Sequence, residues 1–341
     1  MSKVTLKDIA SELKLSIPTV SRALGGFSDI AEETRKKVAE KARSMGYRPN
    51  TNARNLVNRK APSENILILG VGNVLRSIAF NSYYAEIMRS FCDFSEKTPY
   101  RLVLSSDNST DPQFADYHDF LEGHNTAGAV ILDIEVDDDR TGLLRQSGIP
   151  FVVLGEYEPE GPEEYAAWTD NFAGAYTATK HLLDKGCRKI GLITGLPGQK
   201  VTASRCLGYR HALEEATLEY DADLVIEASG MDERGGFEAM RELLQRTTEF
   251  DGIFCASDLR SIGVIKALRD SGYRVPDDIP VIGYDDLTLG AFFEPALTTI
   301  HQPTYELGWH AIETLNQLIR GDYQGPNKRV YQPELIIRES A

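Results

Sequence analysis

Leu6-Lys7-Asp8-Ile9-Ala10-Ser11-Glu12-Leu13, then Ser16-Ile17-Pro18-Thr19-Val20-Ser21-Arg22-Ala23-Leu24 after only Lys14-Leu15, are two helical patterns in close succession. In the first, Leu6, Ile9, Ala10 and Leu13 fall at i, i+3, i+4 and i+7, one apolar face. Thr5 can cap it, with Asp8 completing an approximate capping box. Ser16 can cap the second, whose first turn tolerates Pro18 because its N–H has no helical partner there. Val20 points into the space between the two helices, and a third pattern from about Ala31-Glu32 to Gly46 turns Val38, Ala42 and Met45 inward. Two short helices with a tight turn and a third across them is the helix-turn-helix plan. The second helix then offers Ser16, Ile17, Pro18, Thr19, Ser21 and Arg22 to DNA. Hydroxyls hold phosphates, and a guanidinium reads guanine in the major groove.

Charge supports that division of labour. The whole chain, 341 residues, carries −14. Residues 1–60 hold 13 Lys/Arg against 6 Asp/Glu, and the rest holds 24 against 45. A basic module suited to a polyanion therefore precedes an acidic one. From Asn65 onward the rhythm changes to apolar runs at Ile66–Val71, 102–104, 129–134, 151–154, 189–193, 224–226, 252–255 and 280–284. Amphipathic stretches such as Asn171–Lys185 and Ala203–Ala216 lie between them. Such alternation means βαβ units and parallel sheets covered on both faces, and this many strands predict two doubly wound α/β lobes. The acidic stretch Glu156–Glu164 is where the chain is expected to cross between lobes. The expected lobes are 65–157 with 289–320, and 158–288 with 321–341.

Several functions are excluded by what the residues lack. No apolar run of about 18 residues offers a membrane span, and Met1–Asp8 has no apolar segment of a secretory signal. Cys92, Cys187, Cys206 and Cys255 are scattered, as befits free thiols in a reducing cytoplasm. Gly70-Val71-Gly72-Asn73 lacks the third glycine of a dinucleotide fingerprint, and Gly195-Leu196-Pro197-Gly198 lacks the lysine of a phosphate loop. With no histidine pair at metal spacing and no nucleophile elbow, neither enzyme, cofactor nor metal site is expected.

Val4-Thr5-Leu6-Lys7-Asp8-Ile9-Ala10, Ser16 to Leu24, Glu33-Thr34-Arg35 and Met45-Gly46-Tyr47-Arg48-Pro49-Asn50 closely resemble the headpiece of the lac-repressor (LacI) family. One position departs: Lys14 stands where helix-turn-helix proteins usually have glycine. The resemblance implies that Thr5 and Asn50 join the DNA contacts. Asn52-Ala53-Arg54-Asn55-Leu56 resembles the family's hinge helix, with Asn55 for serine. It implies a hinge over 51–64 in which Ala53, Arg54 and Leu56 meet the minor groove, Leu56 wedging open a base step. The alternative for this segment is a plain polar linker.

In the core, Asn81–Glu86, Asp170–Ala175, Ser204–Tyr209, Ala256-Ser257-Asp258, Ile282–Asp286 and Thr298–Pro303 resemble family motifs, with His301 in place of arginine. They imply a periplasmic-binding-protein-like core with an effector in its cleft. Arg205 and Asp258 are the expected effector ligands, since fork and carboxylate together satisfy vicinal sugar hydroxyls. Their alternative is an ion pair across the lobes. Tyr83 either faces a pyranose ring or packs in the core; Met231 falls at a wall position that is aromatic in many relatives. Trp168 and Asn73 are weaker candidates, and Asp170 and Asn171 are expected to cap a helix. The reading is a cytoplasmic homodimeric repressor of a carbohydrate-use operon. It binds a pseudo-palindromic operator in double-stranded DNA and is relieved by a mono- or oligosaccharide. The alternatives are a corepressor-activated regulator sensing a purine or other small metabolite, or a sugar-binding transport protein. The lack of an apolar heptad tail favours a dimer over a tetramer.

Overall fold

Helices α1 (Leu6–Leu13), α2 (Ile17–Leu24) and α3 (Glu32–Ser44) form because each can bury one apolar stripe against the other two. Ile9, Ala10, Val20, Ala23, Val38 and Ala42 make the shared core, flanked by Leu6, Leu13, Leu15, Leu24, Ile30 and Met45. A Lys41–Glu12 ion pair at 2.7 Å ties α3 to α1. In the turn after α1, the Leu15 N–H donates to the Ala10 carbonyl at 3.0 Å and the Lys14 N–H to Ser11 at 3.3 Å. This is a Schellman ending, which needs a left-handed residue, and Lys14 supplies it at φ 52°. A lysine there carries roughly 1 kcal/mol of strain. Lys14→Gly is therefore expected to stabilise the headpiece by about 1 kcal/mol. Amide exchange at Ile9 and Val20 in the full chain should slow about five-fold; faster exchange would contradict the strain.

The computed structural model describes residues 6–24, 30–45, 65–71, 82–107, 126–135, 138, 140–247 and 249–341. The chain divides into the units Met1–Ala61 and Pro62–Ala341. The hinge expected over 51–64 and the sites expected at Thr5, Asn50, Ala53, Arg54, Leu56 and Asn73 lie outside the described residues.

The second unit is built on two six-stranded sheets. The first contains β1 (Asn65–Val71), β2 (Arg101–Asp107), β3 (Thr126–Leu132), β4 (Phe151–Leu154), β5 (Glu164–Thr169) and β11 (Lys328–Tyr331), in the order β11-β5-β4-β3-β1-β2. All its pairings are parallel. Helices α4 (Ser82–Ser95), α5 (Arg140–Ser147) and α10 (Thr304–Arg320) belong to this lobe. Ile66, Ile68, Val130 and Val152 face α4 and α10 through Ile87, Phe91, Leu307 and Leu315. Leu67, Leu69, Ile131 and Val153 face the other way, towards Leu144. Burial on both faces is why these strands read as unbroken apolar runs; each such side chain contributes ~1.5–3 kcal/mol.

The second sheet contains β6 (Ile190–Thr194), β7 (Val225–Glu227), β8 (Gly252–Cys255), β9 (Val281–Asp285), β10 (Thr298–His301) and β12 (Glu334–Ile336), in the order β12-β10-β9-β8-β6-β7. Only β12 runs antiparallel to its neighbour. Helices α6 (Asn171–Asp184), α7 (Lys200–Glu215), α8 (Glu233–Arg246) and α9 (Asp258–Asp270) cover it.

The lobe boundaries expected from sequence are corrected. β5 pairs with β4 in the first sheet, so the chain crosses first at Asp170, not within Glu156–Glu164. β10 belongs to the second sheet and β11 to the first, so the remaining crossings fall at Gln302-Pro303 and between Tyr331 and Glu334. The acidic stretch misleads because its charge is neutralised within its own lobe. Arg145 on α5 bonds Glu164 at 2.6 Å and Glu160 at 3.0 Å, while the Tyr157 hydroxyl donates to Glu164 at 2.8 Å.

Candidate functional site

In the first unit, the expected reading helix presents its expected face. The Ser16 hydroxyl oxygen accepts from the Thr19 N–H at 3.1 Å and caps α2. Val20 and Ala23 turn inward, leaving Ser16, Ile17, Pro18, Ser21 and Arg22 exposed and Thr19 half-buried. The apolar Ile17, 45% exposed, thus stands on one face with hydroxyls and a guanidinium.

In the second unit a cleft with about 830 Å³ of empty space opens between the lobes. Its walls come from residues at or just past the carboxyl ends of strands: Asp133 after β3, Glu156 after β4, Trp168 on β5, Ala256 after β8 and Asp285 on β9. Parallel α/β sheets place ligands there, because helix N-termini and freed backbone groups gather at that edge.

Arg205 on α7 is the fixed point of the site. Its Nε donates to Asn171 Oδ1 at 3.0 Å and its Nη1 to the Ala256 carbonyl at 2.6 Å. The guanidinium lies 3.6 Å over the Tyr284 ring, and Nη2 sits 3.7 Å from Asp285 Oδ1. Asp285 also accepts from Gln302 Nε2 at 2.7 Å, at the crossing between lobes. Burial pushes the Asp285 carboxyl up to about 6, against the pull of Arg205. Asp285 and Asp286 both have positive φ, 113° and 55°, and their side chains find different partners. Asp286 is held by His301 Nδ1 at 3.0 Å and Arg338 Nη2 at 2.5 Å, and these bonds lower its pKa.

From the first lobe, Asp133 accepts the Tyr84 hydroxyl, and burial raises its pKa. Tyr83 stands edge-on to Tyr84, with ring centroids 5.2 Å apart, and lines the cleft while also packing on the lobe core. Tyr83 thus packs in the core, one of its two readings, and also has a place on the cleft wall. Glu156 reaches across to accept from Ser204 Oγ at 2.5 Å. Met231, beyond β7, lines the cleft and packs against the first lobe's core; Trp168 also lines it. Asp170 caps α6 by accepting from the Ala173 N–H at 2.9 Å, as expected, whereas Asn171 is the first residue of the helix and, against expectation, does not cap it: its Nδ2 donates to the Thr169 carbonyl at 3.0 Å and its Oδ1 orients Arg205.

Asp258 does not join this group. It is fully buried inside the second lobe, where its oxygens accept from the Thr299 hydroxyl at 2.6 Å and the Leu287 N–H at 2.7 Å. Burial, with Asp285 nearby, raises its pKa well above the ordinary carboxylate value. It ties the start of α9 to β10, and the ion-pair partner of Arg205 is Asp285. Of the two aspartate-bearing motifs Ala256-Ser257-Asp258 and Ile282–Asp286, it is the latter that holds the carboxylate facing Arg205. Sequence reading also missed Asp133, Glu156, Arg260 and Gln302, which line the cleft.

Residues 5–50 match the model of the bacterial regulatory proteins of the lacI family, and residues 179–341 match a periplasmic binding protein-like domain. The HTH-type transcriptional regulator CelR of Thermobifida fusca is 33% identical over 339 residues, 98% of this chain and 98% of that one. The chain belongs to the lacI family. As a family member it is a DNA-binding transcription regulator with a small-molecule-binding core, and not an enzyme. The regulator RegA of Clostridium saccharobutylicum is 30% identical over 98% of both chains. A solved CelR–cellobiose complex superposes with a TM-score of 0.73 at 31% identity, covering 99% of this chain and 100% of that one. No helix among the described residues of this lacI-family chain is long and apolar enough to cross a membrane.

Proposed function

We propose that this regulator represses a carbohydrate-use operon from the cytoplasm and is relieved by a sugar bound in the core cleft. The observation that carries the reading is the Arg205 group: a guanidinium fixed by Asn171, Ala256 and Tyr284 beside a carboxylate, with the aromatic Tyr83 and Trp168 lining the same cleft. Sugars need this combination of fork, acceptor and apolar wall. The similarity to a regulator solved with cellobiose supports a mono- or oligosaccharide as the effector class. Two headpieces on a pseudo-palindromic operator require two copies of the chain, so the active form is a homodimer. Leu56 of the hinge is the proposed minor-groove wedge. The effector acts only through its different affinity for two lobe arrangements, which the hinge transmits.

Electrophoretic mobility shift with a palindromic operator, at moderate salt, tests the proposal. Specific binding by the dimer that a sugar releases is the expected result. Binding that instead strengthens when a purine base is added would establish the corepressor reading, which the 30%-identical PurR of Mannheimia succiniciproducens keeps open. No specific binding would sink both.

A further inference from the structure

Resting on the sugar reading of the cleft, we infer that Arg260 is a specificity-determining residue for an anionic group on the effector, making the ligand class an acidic rather than a neutral sugar. Arg260 lies in the first turn of α9, 4% exposed, and lines the cleft. Its Nε donates to the Gly230 carbonyl at 2.9 Å. Its two terminal amino groups have no hydrogen-bond or ion-pair partner among the described residues.

The other buried guanidiniums among the described residues have carboxylate neighbours. Arg140 pairs with Asp138, and Arg205 has Asp285. The cleft carboxylates are already engaged, Asp285 by Arg205 and Gln302, Asp133 by Tyr84, and Glu156 by Ser204. Lys200, half-buried and also lining the cleft, adds a second positive charge with no ion-pair partner among the described residues. A buried cation left uncompensated is costly, and proteins retain one where something else supplies the counter-charge. Burial, helped by Arg205, draws the Arg260 pKa down from its ordinary value, in keeping with that cost. A neutral hydroxyl can accept a hydrogen bond from the fork but leaves the charge in place. A carboxylate or phosphate does both, in a bidentate geometry the guanidinium is shaped for.

Titration calorimetry of the full-length dimer tests this with three arms: glucose, galactose and cellobiose; glucuronate, galacturonate and digalacturonate; and glucose 6-phosphate. An acidic sugar is expected to bind on the order of 100-fold tighter than its neutral counterpart, and Arg260→Met to erase the difference. Tight binding confined to the phosphate arm would also support the inference and identify phosphate as the anionic group. Arg260→Lys, which keeps the charge and loses the fork, should retain the preference at roughly tenfold and covers the case in which the methionine variant does not fold. A neutral sugar binding as tightly as its acid, or a preference that survives Arg260→Met, overturns the inference while leaving the sugar reading intact. No binding in any arm overturns both.

Discussion

Replacing Arg205 with alanine is expected to lower effector affinity about 1,000-fold while leaving operator affinity unchanged, so that repression no longer responds to effector. The magnitude follows from what the guanidinium does. In the proposed role it presents charge-assisted donors to the effector, from a position held by Asn171, the Ala256 carbonyl and the face of Tyr284. Removing it also strips the buried Asp285 of its cationic neighbour, so a carboxyl already at about 6 is driven further towards its neutral form. Both losses fall on the ligand-bound state. Arg205→Lys is expected to restore little, because one ammonium cannot reach the Asn171 oxygen and the Ala256 carbonyl while also facing the ligand. Calorimetry for the effector and a mobility shift for the operator separate the two affinities. An Arg205→Ala protein that still releases DNA with effector would remove Arg205 from the site.

The helices of the headpiece were legible because their period, caps and spacing agree at every level. The core strands Ile66–Val71 and Phe151–Leu154 were legible for the same reason, being apolar throughout. β5 was not: Glu164-Tyr165-Ala166-Ala167-Trp168-Thr169 begins with a charge that only Arg145, 19 residues earlier, neutralises. β11 carries exposed Lys328 and Arg329 and no apolar run, so its pairing with β5 is fixed by a partner some 160 residues away. Sequence alone cannot see that pairing.

The site divides similarly. Arg205 was found from its motif, but choosing among Asp258, Asp285 and Asp286 needs the backbone. Positive φ at two successive residues lets Asp285 meet Arg205 and Gln302 while Asp286 meets His301 and Arg338. Asp258, one residue into α9, bonds back into its own lobe. Arg260 did leave a signal. It shares a helix face with Val264 and Ala267, both buried, and an arginine on an otherwise apolar face has something particular to meet.

Gly208→Ala is expected to destabilise the second lobe by about 3 kcal/mol and to weaken effector binding with it. Gly208 sits on α7 where that helix crosses α6. A Cβ there would lie 2.2 Å from the Phe172 carbonyl oxygen, 2.9 Å from the Tyr176 nitrogen and 3.0 Å from the Ala175 Cβ. The first two are backbone atoms of a helix and cannot turn aside as a side chain could, so α6 and α7 must separate. Alanine's better helix propensity offsets only about 1 kcal/mol of that. Separation also lengthens the 3.0 Å bond by which Asn171, on α6, holds Arg205, on α7. The glycine of the Arg205–Gly208 motif thus sets the helix spacing on which the arginine's position depends. Gly142→Ala on α5 is the control, since nothing lies within 4 Å of its would-be Cβ. That change should be neutral or stabilising by roughly 0.5–1 kcal/mol. Urea unfolding of the two variants distinguishes them. If Gly208→Ala matches Gly142→Ala in midpoint and slope, the α6–α7 contact does not set the geometry of the cleft.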